Sequence, residues 1–217
     1  MAEYYLRTPL TEEVVRKLKV GDLVTLEGTI FGIRDANLIR MFDDKVPSPV
    51  DLTGSACIHT APNVRKNTQG KYEPVCIGTT TSSRMDRFTP GLMGQYGVRA
   101  IIGKGGMMEP SMEAMKKFGG CYLAIVGGAA AWETERISEI EDLWWEDLMP
   151  EAIWKFKTKD FGPLIVAMDS YGNNLYFDVK AKAKSLLPEI YQKLGIPQDD
   201  SGNVFQQIAA TVSKDNK

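Results

Sequence analysis

The middle of the chain alternates between short apolar runs and segments with the residue types of a helix. Residues 98–102 (VRAII) and 121–126 (CYLAIV) are apolar runs of the kind found in strands that are covered on both faces. Between them, residues 111–118 suit a helix that ends at Gly119-Gly120. A strand, a helix and a strand over about 30 residues form a βαβ unit, in which the two strands are parallel. The pattern therefore predicts an α/β protein with a parallel sheet.

The flanking segments carry weaker signals. Helices are predicted at 8–20, 35–42, 129–137 and 180–194. Strands are predicted at 22–33 (one long strand, or a hairpin interrupted at Gly28), at 54–60 and 74–78, and as a hairpin formed by 163–169 and 174–179. We expect a single domain over 1–197 and a loosely held tail over 198–217.

Composition and charge exclude several classes of protein. The 217 residues include 26 basic and 28 acidic side chains, and the net charge of −2 argues against a nucleic-acid coat or a polybasic membrane binder. The longest apolar stretch, 121–132, is shorter than the ~18 residues that a membrane span needs. The N-terminus has no apolar segment of the kind that a secretory signal contains. We therefore expect a cytoplasmic protein.

The three cysteines and the one histidine are weak candidates for metal binding. Three thiolates can in principle hold an iron–sulfur cluster with one open iron, but Cys76 and Cys121 lie within apolar strand patterns. Free cysteine in such a place behaves as a small hydrophobic residue, and Cys57 forms no C-x-x-C pair with either. A single histidine, His59, rules out a zinc site built on several imidazoles, and we interpret it as a structural or rim residue. No metal ligand is predicted in this chain.

The most unusual stretch is 78–86, GTTTSSRMD, in which five consecutive hydroxyl residues precede Arg84. Hydroxyls and backbone N–H groups at a strand end form a donor-rich nest for an anion, and the planar guanidinium adds a fork for a carboxylate or a phosphate. The alternative is a solvated Ser/Thr turn. The segment by itself leaves both interpretations open.

Two further motifs place cations where predicted strands end. Lys104 stands in Gly103-Lys104-Gly105-Gly106 after the strand VRAII, which is where open α/β sheets bind ligands. The spacing fits neither a P-loop nor a dinucleotide fingerprint, so a tight turn with a solvated lysine is the alternative. Arg34 and Asp35 close the strand TIFGI, either as a clamp for a carboxylate or as a surface salt bridge.

Several stretches together resemble one family. They are TPLTEEVVRKLKVGDLVTLEGTIFGIRDA, GTTTSSRMD, IIGKGGM, VGGAAA and KDFGPLIVAMDSYGNNLY, which run in order from about residue 8 to residue 178. In this respect the chain resembles the β subunit of the class I, iron–sulfur-dependent fumarate hydratase and L-tartrate dehydratase family. The resemblance implies a layered β/β/α domain of the swivelling type, with a parallel and an antiparallel sheet. It also implies a partner α subunit whose own three cysteines bind a [4Fe-4S] cluster.

The resemblance also implies roles for individual residues. Arg34, Arg84 and Lys104 would bind the substrate carboxylates together with Thr81, and Thr80 would be the base at the carbon that gains or loses a proton. Asp35, Gly103 and Gly105 would support them. The open iron of the partner's cluster would act as a Lewis acid on the departing hydroxyl.

The chain departs from the family pattern at three positions. Leu38 stands where members often have a histidine in R-D-x-x-H, and a leucine cannot move a proton. Thr79 replaces the usual proline and Ser83 a common glycine. These changes leave the three cations in place, but they leave the substrate open.

The expected function is therefore the β subunit of a hydro-lyase that adds water to a C4 dicarboxylate or removes it, with fumarate and L-malate first and tartrate second. The glycine-rich loop keeps a nucleotide- or phosphate-binding module as an alternative. Leu38 and the four tryptophans keep a non-catalytic scaffold subunit as another. The family suggests a heterotetramer that contains two copies of this chain and two α subunits, with the active site between the two kinds of chain.

Overall fold

The computed structural model describes residues 1–125, 128 and 130–196. The strands are β1 (Glu3–Arg7), β2 (Leu23–Ile33), β3 (Ala56–His59), β4 (Asn63–Lys66), β5 (Tyr72–Cys76), β6 (Ala100–Gly103), β7 (Cys121–Ala124), β8 (Ile137–Trp144) and β9 (Ile153–Met168). The helices are α1 (Glu12–Val15), α2 (Asp35–Phe42), α3 (Thr89–Gln95), α4 (Glu109–Phe118), α5 (Ala130–Glu133) and α6 (Leu175–Leu194), and short 3₁₀ segments cover Ser82–Phe88, Thr134–Arg136 and Glu146–Leu148.

The described residues build a seven-stranded sheet in the order β1-β2-β3-β6-β7-β9-β8, with a further pairing of β2 with β9. The pairs from β1 to β7 are all parallel, whereas β9 runs antiparallel to β2, β7 and β8. A separate two-stranded antiparallel sheet joins β4 and β5. The predicted α/β class, with parallel and antiparallel sheets, is confirmed.

The βαβ unit is also confirmed, since β6 and β7 are parallel neighbours joined by α4. Helix α4 ends where the sequence predicts, because Gly119 has a φ of 68° and adopts the left-handed conformation that closes many helices. Large apolar side chains from β9, led by Trp154, Phe156 and Phe161, are fully buried in a hydrophobic core to which most strands of the large sheet contribute. Burying each such side chain stabilises the fold by roughly 1.5–3 kcal/mol.

The chain divides into two compact units, Met1–Leu175 and Tyr176–Lys217. In the second unit, the described residues continue helix α6, which contains Pro188 and has no buried side chain. The predicted tail over 198–217 lies outside the described residues. No described helix combines the length and the apolar character that crossing a membrane requires.

Some predicted elements are wrong. The segment 174–179 begins helix α6 rather than the second strand of a hairpin, so its aromatic and β-branched residues gave the wrong signal. The helix predicted over 8–20 is only the single turn α1, capped by the Thr11 side chain, although Leu18 is buried as expected of an apolar face.

The strands that the sequence pattern does not predict include β1 and β8. Both β1 and β8 lie at sheet edges, where charged residues break the apolar alternation. The helix predicted over 129–137 is present in its described residues as α5 and the 3₁₀ turn Thr134–Arg136, and only its last residue, Ile137, belongs to β8. Strand β2 is one continuous strand, and its pairing with β9 shifts register on either side of Leu26.

Candidate active site at the carboxyl edge of the parallel strands

Three neighbouring parallel strands end at the same edge of the sheet. Arg34 follows β2, His59 ends β3, and Lys104 follows β6. In open α/β sheets, ligands bind at the carboxyl ends of the strands. The topology therefore brings the Arg34-Asp35 motif and the G-K-G-G motif to one edge, although some 70 residues of sequence separate them.

The hydroxyl segment crosses this edge. The backbone N–H of Thr80 donates to the carbonyl of His59 at 2.9 Å, and the N–H of Ser82 donates to the carbonyl of Lys104, also at 2.9 Å. Thr81 forms a parallel bridge with Lys104. Main-chain contacts thus tie the segment to the ends of β3 and β6, and the three motifs lie together.

A cluster of ionised side chains covers the β2 end of the edge. The Arg84 guanidinium donates to both carboxylate oxygens of Asp35, at 3.3 Å from Nε and 3.0 Å from Nη2. The same Nη2 donates to Thr80 Oγ1 at 3.0 Å. Arg34 donates to Asp35 from Nε at 3.1 Å. Asp35 therefore joins the two arginines, and one of them contacts the threonine that the family resemblance makes the base.

The charges of this cluster perturb the Asp35 carboxyl. Burial by itself would raise the pKa of Asp35, but the hydrogen bond and the charge of Arg84, with those of Arg34, outweigh it and hold the pKa below its ordinary value. The same contact with Asp35 raises the pKa of Arg84. Asp35 and Arg84 are therefore ionised at neutral pH, as their charge-assisted hydrogen bonds require.

A carboxylate from a distant part of the chain completes the cluster. Glu151 Oε1 lies 3.2 Å from Arg34 Nε, and its Oε2 accepts a hydrogen bond of 2.7 Å from the backbone N–H of Ala36. The Asn37 amide donates to the Glu151 carbonyl at 2.8 Å, and its Oδ1 accepts from the backbone N–H of Arg34 at 3.1 Å. These contacts fix the first turn of α2. No local sequence signal marks Glu151, and sequence analysis missed it.

Lys104 differs from the two arginines in its surroundings. Among the described residues it has no ion pair and no side-chain hydrogen bond, and its side chain is partly exposed. Its neighbour Gly105 has a φ of 82°, and a Cβ there would lie 3.1 Å from the Thr81 side chain. The ammonium group is therefore available to an anion at the β6 end of the edge.

Behind this cluster, three fully buried polar side chains form a second network. His59 Nδ1 lies 2.9 Å from Ser82 Oγ, and the Tyr122 hydroxyl donates to the same Oγ at 3.0 Å. His59 Nε2 is buried without a hydrogen-bond partner among the described residues. Burial lowers the pKa of His59 to about 3; the charge of Asp35 raises this pKa by a smaller amount, and the charges of Arg84 and Arg34 lower it further. The imidazole is therefore neutral and structural, which agrees with its predicted interpretation.

Gly103 leaves the space that this network needs. A Cβ on Gly103 would lie 1.9 Å from Ser82 Oγ, which is closer than side-chain carbons approach in real structures, and 3.1 Å from the Tyr122 hydroxyl, which is a tight contact. The glycine that sequence analysis assigned to a ligand loop thus also admits Ser82 to the buried network. Leu38, at the position where the family resemblance led us to expect a histidine, is fully buried in α2 and belongs to the hydrophobic interior.

The cysteines do not fit a metal cluster. Cys57 and Cys121 are fully buried, and burial raises the pKa of each thiol to about 12. The part of the chain that the structure describes contains no group of three histidine, cysteine or acidic side chains placed to hold a metal ion. The described residues of this chain are therefore not suited to hold an iron–sulfur cluster.

A cavity of about 290 Å³ lies apart from this edge. It is lined by Thr8, Phe31, Asp51, Ser55 and Lys155 among others. Ser55 immediately precedes β3, so the cavity lies near the amino end of that strand, whereas His59 ends it at the site. None of the site residues predicted from sequence lines this cavity.

Comparison with known proteins identifies the family. The Fumarase C-terminus family matches residues 2–179. The chain belongs to this family. The resemblance seen in the sequence is confirmed, and the match includes all the strands and the site residues of this Fumarase C-terminus domain.

Individual proteins that are similar to this chain point to the same family. The L(+)-tartrate dehydratase subunit beta of Escherichia coli K12 is 40% identical over 176 residues, which are 81% of this chain and 87% of that protein. A protein of Geobacillus stearothermophilus named "Putative fumarate hydratase class I" is 39% identical over 191 residues, which are 86% of this chain and 35% of that protein. The domain is thus similar both to nearly the whole of a beta subunit and to a part of a longer protein.

Proposed function

We propose that the chain is the β subunit of a hydro-lyase that reversibly adds water to a C4 dicarboxylate. The observation that carries the proposal is the convergence of Arg34, Arg84 and Lys104 on one sheet edge. The Thr80 hydroxyl lies at the same edge, where it accepts a hydrogen bond from Arg84. The family match and the names of the relatives favour this function over a nucleotide-binding module or a scaffold subunit.

The charge pattern suits a doubly anionic ligand. Asp35 and Glu151 occupy Nε and Nη2 of Arg34, and Asp35 occupies Nε and Nη2 of Arg84. No hydrogen bond between described residues uses Nη1 of either arginine, so each guanidinium keeps donors for a carboxylate. With the ammonium of Lys104, the edge offers cations to both carboxylates of the substrate.

Thr80 is proposed as the base of the dehydration direction and as the acid of hydration. In dehydration, its ionised oxygen would take the proton from the carbon next to one carboxylate, the electron pair would form the double bond, and hydroxide would leave from the next carbon. A hydroxyl is a poor base in water, but the hydrogen bond from Arg84 Nη2 favours its ionised form. The same cations stabilise the second negative charge that develops on the adjacent carboxylate.

The site is an open edge, since the Arg84 side chain is 48% exposed. We propose that an α subunit covers it and carries the [4Fe-4S] cluster, and we assign no ligand of that cluster to this chain. A heterotetramer that includes a pair of these chains is the proposed assembly. The three free cysteines support a reducing, cytoplasmic location.

The test is a steady-state assay of the complex formed with the α subunit under anaerobic conditions, with fumarate, L-malate and L-tartrate as separate substrates. Arg84→Ala should lower kcat/KM by about 30- to 1000-fold, since removing one desolvated contact to developing charge costs on the order of 2–4 kcal/mol. Arg87→Ala is the matched control, because Arg87 lies on the same 3₁₀ segment and pairs with Asp43 instead. Equal activity of Arg84→Ala and the wild type would refute the proposed site.

The same assay decides the substrate. Relatives named for tartrate and for fumarate are almost equally similar to this chain, so L-tartrate dehydration is the second candidate. A kcat/KM for L-tartrate that exceeds the value for L-malate would establish it, and the opposite order would establish fumarate hydration.

A further inference from the structure

Glu151 is the one carboxylate of the site cluster that comes from far along the chain. It precedes strand β9 and lies 115 residues from Ala36, with which it forms a hydrogen bond. Its two carboxylate oxygens have different partners, because Oε1 faces the Arg34 guanidinium and Oε2 accepts the backbone N–H of Ala36. One side chain thus fixes both the charged head of Arg34 and the main chain just after it.

The pair is well sheltered from water. The side chains of Arg34 and Glu151 are only 19% and 24% exposed, so their interaction is less screened than that of a surface pair. Arg34 also has Asp35 on the Nε and Nη2 side of its guanidinium. The two carboxylates together hold that side of the group and leave Nη1 without a described partner.

The backbone contacts add to this constraint. The Asn37 amide joins the Glu151 carbonyl to the Arg34 backbone, and Asn37 is fully buried. The start of α2 and Glu151, two residues before β9, are therefore joined by several hydrogen bonds. A site residue held by such a supporting shell keeps its geometry to a fraction of an ångström, which binding of a small ligand requires.

We propose that Glu151 is a positioning residue, which orients the Arg34 guanidinium so that its remaining N–H donors meet a substrate carboxylate. The proposal rests on the proposed function, because it gives Arg34 a carboxylate ligand. Glu151 itself does not touch the substrate. Its contribution passes through Arg34, and it must therefore disappear when Arg34 is removed.

Glu151→Gln in the anaerobic complex tests the proposal. The amide oxygen can still accept the N–H of Ala36, but the negative charge beside Arg34 is lost. KM for the preferred dicarboxylate should rise by about ten-fold while kcat changes by less than about three-fold, as expected when ground and transition states lose the same binding contact. Asp147→Asn is the control, since Asp147 lies four residues before Glu151 and pairs with Arg40 on the opposite end of α2; its kinetics should match the wild type.

A double-mutant cycle separates positioning from mere structural support. In an Arg34→Gln background, Glu151→Gln should change kcat/KM by less than about two-fold, because residues that act through one another are not additive. A full ten-fold effect in that background would overturn the proposal. So would a wild-type KM in the Glu151→Gln single variant, even if its melting temperature fell.

A second readout does not depend on activity. In the full chain with ¹⁵N-labelled arginine, the Arg34 Nε–H signal is assigned by its loss in Arg34→Gln, and Glu151→Gln should speed its hydrogen exchange by about ten-fold or more. If the wild-type complex turns over neither fumarate, L-malate nor L-tartrate, the proposed function fails, and unchanged exchange would overturn the positioning role separately. Faster exchange would leave the role of Glu151 supported as the holder of Arg34 at an anion site of another kind.

Discussion

The carboxyl edge of the parallel strands has two polar layers that treat charge in opposite ways. The outer layer, Arg34, Asp35 and Arg84, is ionised and partly exposed. The inner layer, His59, Ser82 and Tyr122, is fully buried and neutral. An ion that is buried without several partners costs many kcal/mol, whereas neutral groups cost less to bury, and here Ser82 Oγ serves both His59 Nδ1 and the Tyr122 hydroxyl, although His59 Nε2 has no partner among the described residues. The charged side chains therefore lie where a ligand can reach them, and the neutral side chains that support them lie where water is excluded.

The two layers are connected through the main chain. Thr80 and Ser82, two residues apart, donate their N–H groups to the carbonyls of His59 and Lys104. Thr80 directs its side chain to the outer layer, and Ser82 directs its side chain to the inner one. Changes in the inner layer should therefore appear first as lost stability, and changes in the outer layer as lost activity at nearly unchanged stability.

The largest expected effect is a loss of stability when the space that Gly103 leaves for Ser82 is filled. Gly103→Ala should lower the free energy of unfolding by about 3 kcal/mol, because overpacking of this kind typically costs 1–3 kcal/mol and the new Cβ would lie on Ser82 Oγ. Urea unfolding followed by circular dichroism measures the loss. The double variant Gly103→Ala/Ser82→Ala should recover part of it. Without any recovery, crowding against Ser82 could not be the cause.

The next effect depends on pH and belongs to His59. The native pKa of His59 is about 3 against an ordinary 6.5, so between these values the unfolded chain binds a proton that the native state excludes. The free energy of unfolding should therefore fall as the pH decreases through this window, by about 2 kcal/mol between pH 7 and pH 5. His59 is the only histidine, so His59→Gln should abolish this part of the slope. Parallel curves for the two proteins would contradict the prediction.

The contribution of the outer layer to stability changes at a lower pH than that of His59. The pKa of Asp35 is held below its ordinary 3.8, so ionised Asp35 stabilises the native state above that pH, and the contribution is lost as the pH falls through the lowered value. Urea unfolding between pH 7 and pH 5 therefore reports the inner layer with little contribution from Asp35. The two layers are separable by titration as well as by substitution.

The two layers also differ in how far the sequence could predict them. Arg34, Thr80, Arg84 and Lys104 stand in short motifs with unusual composition, so each could be named without knowledge of the fold. Only Lys104 follows a strand of the predicted βαβ unit, so the family resemblance gave the expectation that all four share one site. In the fold, the parallel pairing of β2, β3 and β6 brings the carboxyl ends of these strands to one edge. What the motifs could not show is that Asp35 bridges the two arginines.

The remainder depended on long-range contacts. Tyr122 lies in an apolar strand, so its sequence context predicts only a core residue. Its hydrogen bond to Ser82 depends on β6 and β7 being neighbours in the sheet. Glu151 has no local signal, since its partners lie 115 residues earlier in the chain. The strand prediction for 174–179 was wrong for a different reason. A short segment rich in apolar and aromatic residues suits a strand and a helix equally, and here it continues into the 20-residue helix α6.

The smallest expected effect comes from Asp35. Comparing its substitution with that of Asp43 shows whether activity depends on the ion pair at the site or on any ion pair of α2. Asp35→Asn removes the carboxylate that holds both Arg34 and Arg84, and it should lower kcat/KM for the dicarboxylate by about ten-fold, because both guanidiniums lose part of their orientation. The fold should persist, since the pair is partly exposed. Steady-state kinetics of the complex, with thermal unfolding of the same samples, measures both quantities.

Asp43→Asn supplies the matched comparison for Asp35→Asn. Asp43 accepts two hydrogen bonds from Arg87, at 2.9 and 2.6 Å, and so joins α2 to the 3₁₀ segment Ser82–Phe88 just as Asp35 does, but at the other end of the helix. Because this pair is exposed and contacts none of the site cations, kcat/KM should stay within about two-fold of the wild type. If both variants lost the same activity, the docking of α2 on the 3₁₀ segment would matter rather than the charge at the site. A loss confined to Asp35→Asn would assign the effect to the outer layer.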